Sequence, residues 1–172
     1  MKITELQSTE FAPYYEKYIN LVGEQTLLEA LESGIISILA ISEKVEKANK
    51  EKFSYAVEKW SVQDLILHLI DTERIFCYRA LCISRKDKTS FPGFEENDYV
   101  VSAKANQRGF ESIIAEFVAV RNATISLFES FNDEQMQEIG TASNFPVSAR
   151  AIGFIISGHQ IHHENILNER YL

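Results

Sequence analysis

The sequence has few of the residues that interrupt helices. Only three prolines and seven glycines occur among 172 residues, and these two residue types are the strongest local breakers of regular structure. The sequence also contains no internal repeat, no low-complexity tract and no composition typical of a linker. These absences predict a single, mostly helical domain that spans residues 1–172.

Basic charge and long apolar runs are scarce as well. The chain carries 17 Lys and Arg against 25 Asp and Glu, a net charge of −8, whereas nucleic-acid-binding proteins normally present a basic surface to the phosphates. No stretch approaches the roughly 20 apolar residues that span a bilayer. The first eighteen residues contain no apolar segment typical of a secretory signal. We therefore expect a cytoplasmic protein that binds neither nucleic acid nor membrane.

The two cysteines do not form a disulfide framework. On one continuous helix, Cys77 and Cys82 lie about 140° apart around the axis and cannot pair with each other. They are also about 13 and 21 Å along that helix from His68, which makes them poor partners in a shared site. We expect both to be packing residues in a reducing compartment.

Apolar residues recur at helical spacing in four long segments. The segments run from about 18 to 49, 62 to 85, 105 to 131, and 149 to 169. Ser61, with Asp64 three residues later, is a good N-cap for the second helix, and Ser148 can cap the fourth. A short extra helix is expected after Asn132, and residues 141–150 are turn-rich. Four amphipathic helices predict an all-α fold, a four-helix bundle.

The loop between the second and third long helices is predicted to contain about 15–20 residues, including Pro92 and Gly93. This is longer than a tight helical hairpin needs. It could therefore be a crossover connection or a flap over one end of the bundle.

Only four histidines occur, and three of them fall within five residues near the C-terminus. His159 and His163 are four residues apart, which on a helix is about 40° around the axis and ~6 Å between Cβ atoms. Two imidazoles placed in this way can bind one metal ion at ~2.0–2.1 Å. His68 lies between Leu65 and Leu69 on an apolar face of another helix. The core of a bundle can bring these three histidines together.

Two interpretations of the histidines compete. A single histidine in an apolar stripe is usually a core residue bonded to a neighbour, but three buried imidazoles without partners are costly, and a divalent cation would supply those partners. We therefore predict a metal site formed by His68, His159 and His163, with His162 at its rim. Three neutral ligands leave a coordination position open, and such a cation lowers the pKa of a coordinated water or thiol.

Several charged residues near His68 have open roles. Asp71 could orient a ligand histidine through its second ring nitrogen, or it could pair with Arg74 on the surface. Glu73 and Arg74 are expected to be solvated. Arg170 could hold an anionic substrate group or complement the dipole of the last helix.

Aromatic residues could also contribute to the site. Trp60 and residues 91–94 could form the wall of a pocket, or they could cap the core at helix ends.

Three stretches of the sequence resemble the DinB-like (DNA-damage-inducible) superfamily: KWSVQDLILHLIDTERIFCYRAL, FPGFEENDYV and ASNFPVSARAIGFIISGHQIHHENILNERYL. The resemblance extends from about Tyr55 to the C-terminus. It includes the order of the motifs, from Trp-Ser with a histidine eight positions after the Trp, through a Pro-Gly-Phe loop, to a final His-x-x-His-His. It implies an up-down-down-up four-helix bundle and a divalent metal, zinc or nickel, held by His68, His159 and His163.

The resemblance also implies a range of activities. Similar proteins include transferases and isomerases that use small thiols such as bacillithiol or mycothiol, proteins described as metal-dependent hydrolases, and many homodimers. We therefore predict a homodimeric metal-dependent hydrolase or thiol S-transferase, which activates a small thiol or water against a small electrophilic substrate. A non-catalytic, metal-dependent small-molecule sensor and a bundle with purely structural histidines are the alternatives.

Overall fold

The structure is a computed structural model that describes residues 1–172. The α-helices are α1 (Glu16–Ile19), α2 (Leu27–Ala48), α3 (Val62–Ser84), α4 (Glu96–Ala103), α5 (Phe110–Glu129), α6 (Asp133–Gln137) and α7 (Ala149–Ile166), and the strands are β1 (Ser90–Phe91), β2 (Ile139–Ala142) and β3 (Phe145–Ser148). Short 3-10 helices occupy Ile3–Glu5, Ser8–Glu10, Pro13–Tyr15, Asn20–Val22 and Ala105–Gln107, and a π-helix, Leu167–Tyr171, extends α7.

The four long helices α2, α3, α5 and α7 form the predicted four-helix bundle. Helix α2 packs against α5 and α7, and α3 packs against the same two helices. Helices α2 and α7 run parallel, because Ser37 contacts Glu164 and, further along both helices, Lys44 contacts Asn168.

Helices α3 and α5 run parallel to each other and antiparallel to α7. Between α3 and α5, the contacts Arg74–Glu116 and Cys77–Thr124 advance in the same direction along both helices. At the α3–α7 side, the contacts Trp60–Tyr171 and His68–His159 advance in opposite directions. The course is therefore up-down-down-up, as predicted.

The predicted start of α3 is confirmed by its capping interactions. The amide of Asp64 donates to Ser61 Oγ at 3.2 Å, while the Asp64 carboxylate accepts a hydrogen bond from the Ser61 amide at 3.0 Å. This reciprocal pair satisfies two amide groups that have no partner within the helix. Ser148 likewise caps α7, because its Oγ accepts a hydrogen bond from the Ala151 amide at 3.1 Å.

The first predicted helix is wrong at its N-terminal end. Gly23 has a φ of 66°, a backbone conformation that glycine adopts without steric cost. Helix α2 starts only after Thr26, whose side chain accepts a hydrogen bond from the Glu29 amide. The chain before Gly23 instead forms α1 and a 3-10 turn that pack on α7.

The connection from α3 to α5 spans residues 85–109 and is longer than predicted, because α5 begins at Phe110. It is not a plain loop, since it contains β1 and α4. Strand β1 pairs in parallel with β2, and β2 pairs with β3 in a hairpin where we expected only turns. The hairpin turn is formed by Ser143 and Asn144, with φ values of 52° and 68°, which is typical of a two-residue turn with both residues left-handed. The all-α prediction holds for the bundle, to which this small sheet is added.

The core consists of two apolar clusters at opposite ends of the bundle. One contains residues of α2, α3 and α7 together with the sheet, and the other contains the opposite ends of the same helices and the start of α5. Between them lies a layer of buried polar residues, which we call the polar layer: Thr72, Glu73, Arg121, Thr124, Gln160 and Glu164, with His68 at its edge. None of the helices has the length and apolar character of a membrane span.

We predict that Gly158→Ala destabilises the protein by about 1–3 kcal/mol. A Cβ atom at this position would overlap the backbone carbonyl oxygen of Tyr18, so α1 would have to move away from α7. This loss of stability is expected even though the intrinsic helix preference favours Ala over Gly by about 1 kcal/mol. Urea unfolding measures the effect. Gly93→Ala is the matched control, because its Cβ would meet its nearest neighbour at 3.5 Å. Unchanged or increased stability of Gly158→Ala would contradict the close packing of α1 on α7.

Candidate metal centre

Three of the four histidines converge at one edge of the polar layer. His68 comes from α3, and His159 and His163 come from α7. The Nε2 atom of His159 lies 3.3 Å from Nε2 of His68 and 3.0 Å from Nε2 of His163. One nitrogen from each ring lies within 4.8 Å of the other two. The fold thus brings together the three residues that the sequence pattern selects.

Packing against aromatic rings holds these imidazoles in place. The ring of Trp60 lies 4.8 Å from the ring of His68. Tyr18 packs edge-on against His159 at a ring distance of 5.5 Å, a position that the close approach at Gly158 permits. The imidazoles are therefore fixed from the α3 side and from the N-terminal segment.

Burial keeps the three imidazoles uncharged. It lowers the pKa of His68 to about 4. Burial, and then the neighbouring histidines, lower the pKa of His163 to about 3 and that of His159 well below 6.5. At neutral pH each ring therefore carries one N–H group and one nitrogen lone pair, which is the form that binds metals.

The donor set fits a divalent transition metal. Ligands at ~2.0–2.1 Å in a tetrahedral arrangement are separated from one another by about 3.3–3.4 Å, close to two of the nitrogen separations seen here. Without a cation the contacts are poorly satisfied, because His159 Nε2 either donates or accepts a single hydrogen bond and cannot pair with both neighbours. The Nδ1 atom of His163 is also buried without a hydrogen-bond partner.

Thr72, and not Asp71, accompanies His68. The hydroxyl of Thr72 lies 3.5 Å from Nδ1 of His68. The carboxylate of Asp71 is partly exposed and lies 4.0 Å from the guanidinium of Arg74. Of the two roles left open for Asp71, the structure therefore shows the surface ion pair.

Glu73 is buried and ion-paired, so the expectation that it is solvated was wrong. Its carboxylate accepts two hydrogen bonds from Arg121, both 2.8 Å long, and one from Thr124 at 2.6 Å. Arg121 also donates to the carbonyl of Leu31 in α2. The signal that was missed is Arg121 itself, a single charge within the apolar run FVAVRNATISLF.

A cavity of about 240 Å³ opens onto the three histidines. Six aromatic residues line much of it: Tyr14, Tyr15, Tyr18, Trp60, Phe76 and Phe94. Trp60 and Phe94 therefore belong to a pocket wall, one of their two predicted roles, whereas Phe91 is buried in the core.

The remaining predicted residues lie at or outside the edge of the cavity. His162 lines the cavity but is not part of the three-histidine group, in agreement with a rim position. Arg170 does not line the cavity; it donates to the hydroxyl of Tyr55 at 3.3 Å, so a role at the pocket mouth is not supported. Both cysteines are free and outside the cavity. Burial raises the pKa of Cys77 to about 12, as befits a packing residue.

Comparison with known proteins confirms the resemblance noted in the sequence. The family profile of the DinB superfamily matches residues 42–167. No curated protein sequence is significantly similar to the chain. Among solved structures, the chain is similar to YfiT from Bacillus subtilis, described as "a probable metal-dependent hydrolase with an unusual four-helix bundle topology". The TM-score is 0.75 at 13% identity, over 96% of this chain and 90% of that chain, a likeness that establishes the fold.

In the metal-free protein, we predict that His68 makes stability depend on pH. Its pKa is about 4 in the folded state and 6.5 when unfolded. Above pH 6.5 the His68 side chain is unprotonated in both the folded and the unfolded state. Below pH 6.5 the unfolded chain binds a proton at His68 and the folded protein does not, so the free energy of unfolding falls as the pH drops from 6.5 to about 4. At pH 5 the loss is ~2 kcal/mol.

We predict that the His68→Gln variant does not lose this ~2 kcal/mol of unfolding free energy between pH 7.5 and pH 5. Urea unfolding in the presence of a chelator measures the difference. His162→Gln is the control, because His162 is less buried than His68 and should change the pH dependence less. Equal pH dependence in wild type and His68→Gln would show that His68 is not held in its neutral form.

Proposed function

This chain belongs to the DinB superfamily, and from that premise we propose that it is a metal-dependent enzyme that acts on a small molecule. The observation that carries the proposal is the convergence of three neutral imidazole nitrogens, from one buried and two half-buried histidines, on one point at the floor of a cavity. The structural neighbour, described as a probable metal-dependent hydrolase, supports the same class of function.

His68, His159 and His163 would hold a divalent transition metal, zinc or nickel, through their Nε2 atoms. A cation bound by three neutral ligands supplies a Lewis acid that lowers the pKa of a water or a small thiol. The protein's own part is to keep the three rings uncharged by burial and to orient them. Thr72, beside Nδ1 of His68, is placed to fix the orientation of that ring.

The reaction we propose is attack by this water or thiol on a small electrophilic substrate, either hydrolysis or thiol S-transfer. Neither cysteine lines the cavity, so a reacting thiol would have to come from a low-molecular-weight cofactor. The aromatic wall formed by Trp60, Phe76 and Phe94 provides apolar surroundings for the substrate and limits access of bulk water.

We further propose that the protein works as a homodimer in the cytoplasm. The free thiols of Cys77 and Cys82 fit a reducing compartment.

Helix α2 presents Ile36 and Leu39, which are 73% and 41% exposed, as an apolar surface for a second copy. Light scattering on the purified protein tests the dimer.

Metal content is the first test of the proposal. We predict about one equivalent of a transition metal in tag-free wild-type protein purified without added metal, by analogy with other three-histidine sites. His68→Ala and His163→Ala should each lose it, because either change leaves two ligands. His162→Ala is the matched control and should retain the metal. Elemental analysis gives the answer, and metal-free wild-type protein would refute the metal site.

Activity should follow the metal. We predict that chelation lowers hydrolysis of 4-nitrophenyl acetate, or thiol transfer to 1-chloro-2,4-dinitrobenzene, at least tenfold, and that added zinc or nickel restores it. Activity that survives complete removal of the metal would contradict this mechanism. Saturable, metal-dependent binding of compounds that are recovered unchanged would instead indicate a non-catalytic binding protein.

A further inference from the structure

Arg79 is a buried arginine without a carboxylate partner. It is 5% exposed, and its one side-chain hydrogen bond runs from Nη2 to the carbonyl oxygen of Pro92 at 2.7 Å. The other two buried arginines, Arg121 and Arg150, are both paired with glutamates. A guanidinium group has five N–H donors, so most of those of Arg79 have no protein acceptor.

An unpaired buried charge is costly, and arginine does not escape the cost by losing its proton. Burial lowers the pKa of Arg79 below its usual value, but an arginine side chain remains charged in proteins. Partial desolvation without an opposing carboxylate is therefore a cost to stability, although the unpaired nitrogens of Arg79 still reach solvent. An anion in contact with the guanidinium would offset that cost.

Arg79 faces the same cavity as the three histidines. It follows His68 by eleven residues on α3, just over three full turns, so both side chains project from one face of the helix. Thr72 and Phe76 lie between them on that face and line the same cavity. The helical rise over eleven residues is about 16 Å, and a long side chain that leans toward the helix N-terminus shortens the gap to roughly 10 Å.

Two aromatic rings fix the position of the guanidinium. Its central carbon lies 5.3 Å from the ring centroid of Phe76 and 5.9 Å from that of Phe94. Contacts of this kind hold the planar group in one orientation, which is the arrangement that suits a planar, bidentate acceptor such as a carboxylate.

We propose that Arg79 binds a carboxylate group of the substrate while the reactive end of the same molecule lies at the three histidines. The proposal rests on the proposed function and specifies its substrate class: a small anionic molecule with roughly 10 Å between its carboxylate and its reacting atom. The only acidic residue that lines the cavity, Glu96, makes no ion pair with Arg79, so the guanidinium is free to bind the ligand.

A purely structural role is the competing explanation. Through the carbonyl of Pro92, Arg79 tethers the connection between α3 and α5, and its loss could loosen that segment. The test therefore needs a readout that a structural role would not change. The ratio of affinities for an acid and for the matching uncharged alcohol is such a readout, because loosening the wall weakens both compounds together.

The probes are 3-phenylpropionate, 4-phenylbutyrate and 5-phenylpentanoate, each compared with its alcohol by calorimetry on wild type, Arg79→Met and Arg79→Lys. We expect wild type to prefer at least one acid by tenfold or more, as a charge-assisted pair implies. Arg79→Met should lose the preference and Arg79→Lys should keep part of it. Arg74→Met is the matched control, since Arg74 is an exposed arginine on the same helix, and should behave as wild type.

The same titrations on metal-free and zinc-loaded protein separate this proposal from the proposed function. A preference for the acid in a protein that binds no zinc would refute the metal enzyme but support the role of Arg79. Normal zinc binding, with no acid preferred in the whole series or with the preference intact in Arg79→Met, would overturn the role of Arg79. If Arg79→Met does not fold, as judged by circular dichroism, Arg79→Gln decides: an unchanged ratio in this uncharged variant refutes the proposal.

Discussion

The buried ion pair between Arg121 and Glu73 is the constraint on which the geometry of the bundle depends. Their side chains are 1% and 4% exposed, and breaking such a pair leaves an uncompensated charge in the core at a cost of about 3–5 kcal/mol. Any sliding of α3 along α5 that separated the two residues would incur this cost. Because Arg121 also donates to the Leu31 carbonyl, the same pair fixes the position of α2. The polar layer therefore sets the register of three helices, even though it contributes little hydrophobic stabilisation.

The rotation of α7 is fixed by the residues that follow the two histidines that this helix contributes to the candidate metal centre. Gln160 comes directly after His159, and Glu164 directly after His163. The side-chain amide of Gln160 donates to the Gly34 carbonyl at 2.7 Å and to the Glu164 carboxylate at 2.6 Å. Since neighbouring residues on a helix differ by about 100°, turning Gln160 and Glu164 toward α2 necessarily turns the two histidines toward α3 and the cavity. One set of hydrogen bonds thus packs α7 against α2 and orients its two histidines toward the cavity.

The bundle and the pair of His159 and His163 could be predicted because they depend on spacing within single helices. His68 could be added because it is the one histidine outside the C-terminal group and lies on an apolar face of another helix. A period of 3.6 residues identifies the helices, and an interval of four places His159 and His163 on one face. The role of Glu73 could not be predicted in that way, because an acidic residue is solvated by default until a second helix supplies Arg121. The β-hairpin was not predicted because its strands have four residues each, too few to show a clear alternation of apolar and polar residues. The interval of eleven residues between His68 and Arg79 is visible in the sequence. The role of Arg79 could not be predicted from it, because that role depends on cavity walls that other segments form.

Much of the cavity wall comes from outside the four long helices. Tyr14, Tyr15 and Tyr18 belong to the N-terminal segment, Phe94 to the connection between α3 and α5, and Ser143 to the hairpin turn. The family match begins at residue 42, so it includes all three histidines and Arg79 but none of these tyrosines. The family match therefore bears on the histidine group and Arg79 and carries no information on the tyrosine wall. The polar layer sets the register of the helices that carry the histidines, whereas the N-terminal segment contributes the tyrosine wall and the contact of Tyr18 with His159. Variation in the appended segments would therefore change the wall of the cavity while leaving the helix register in place.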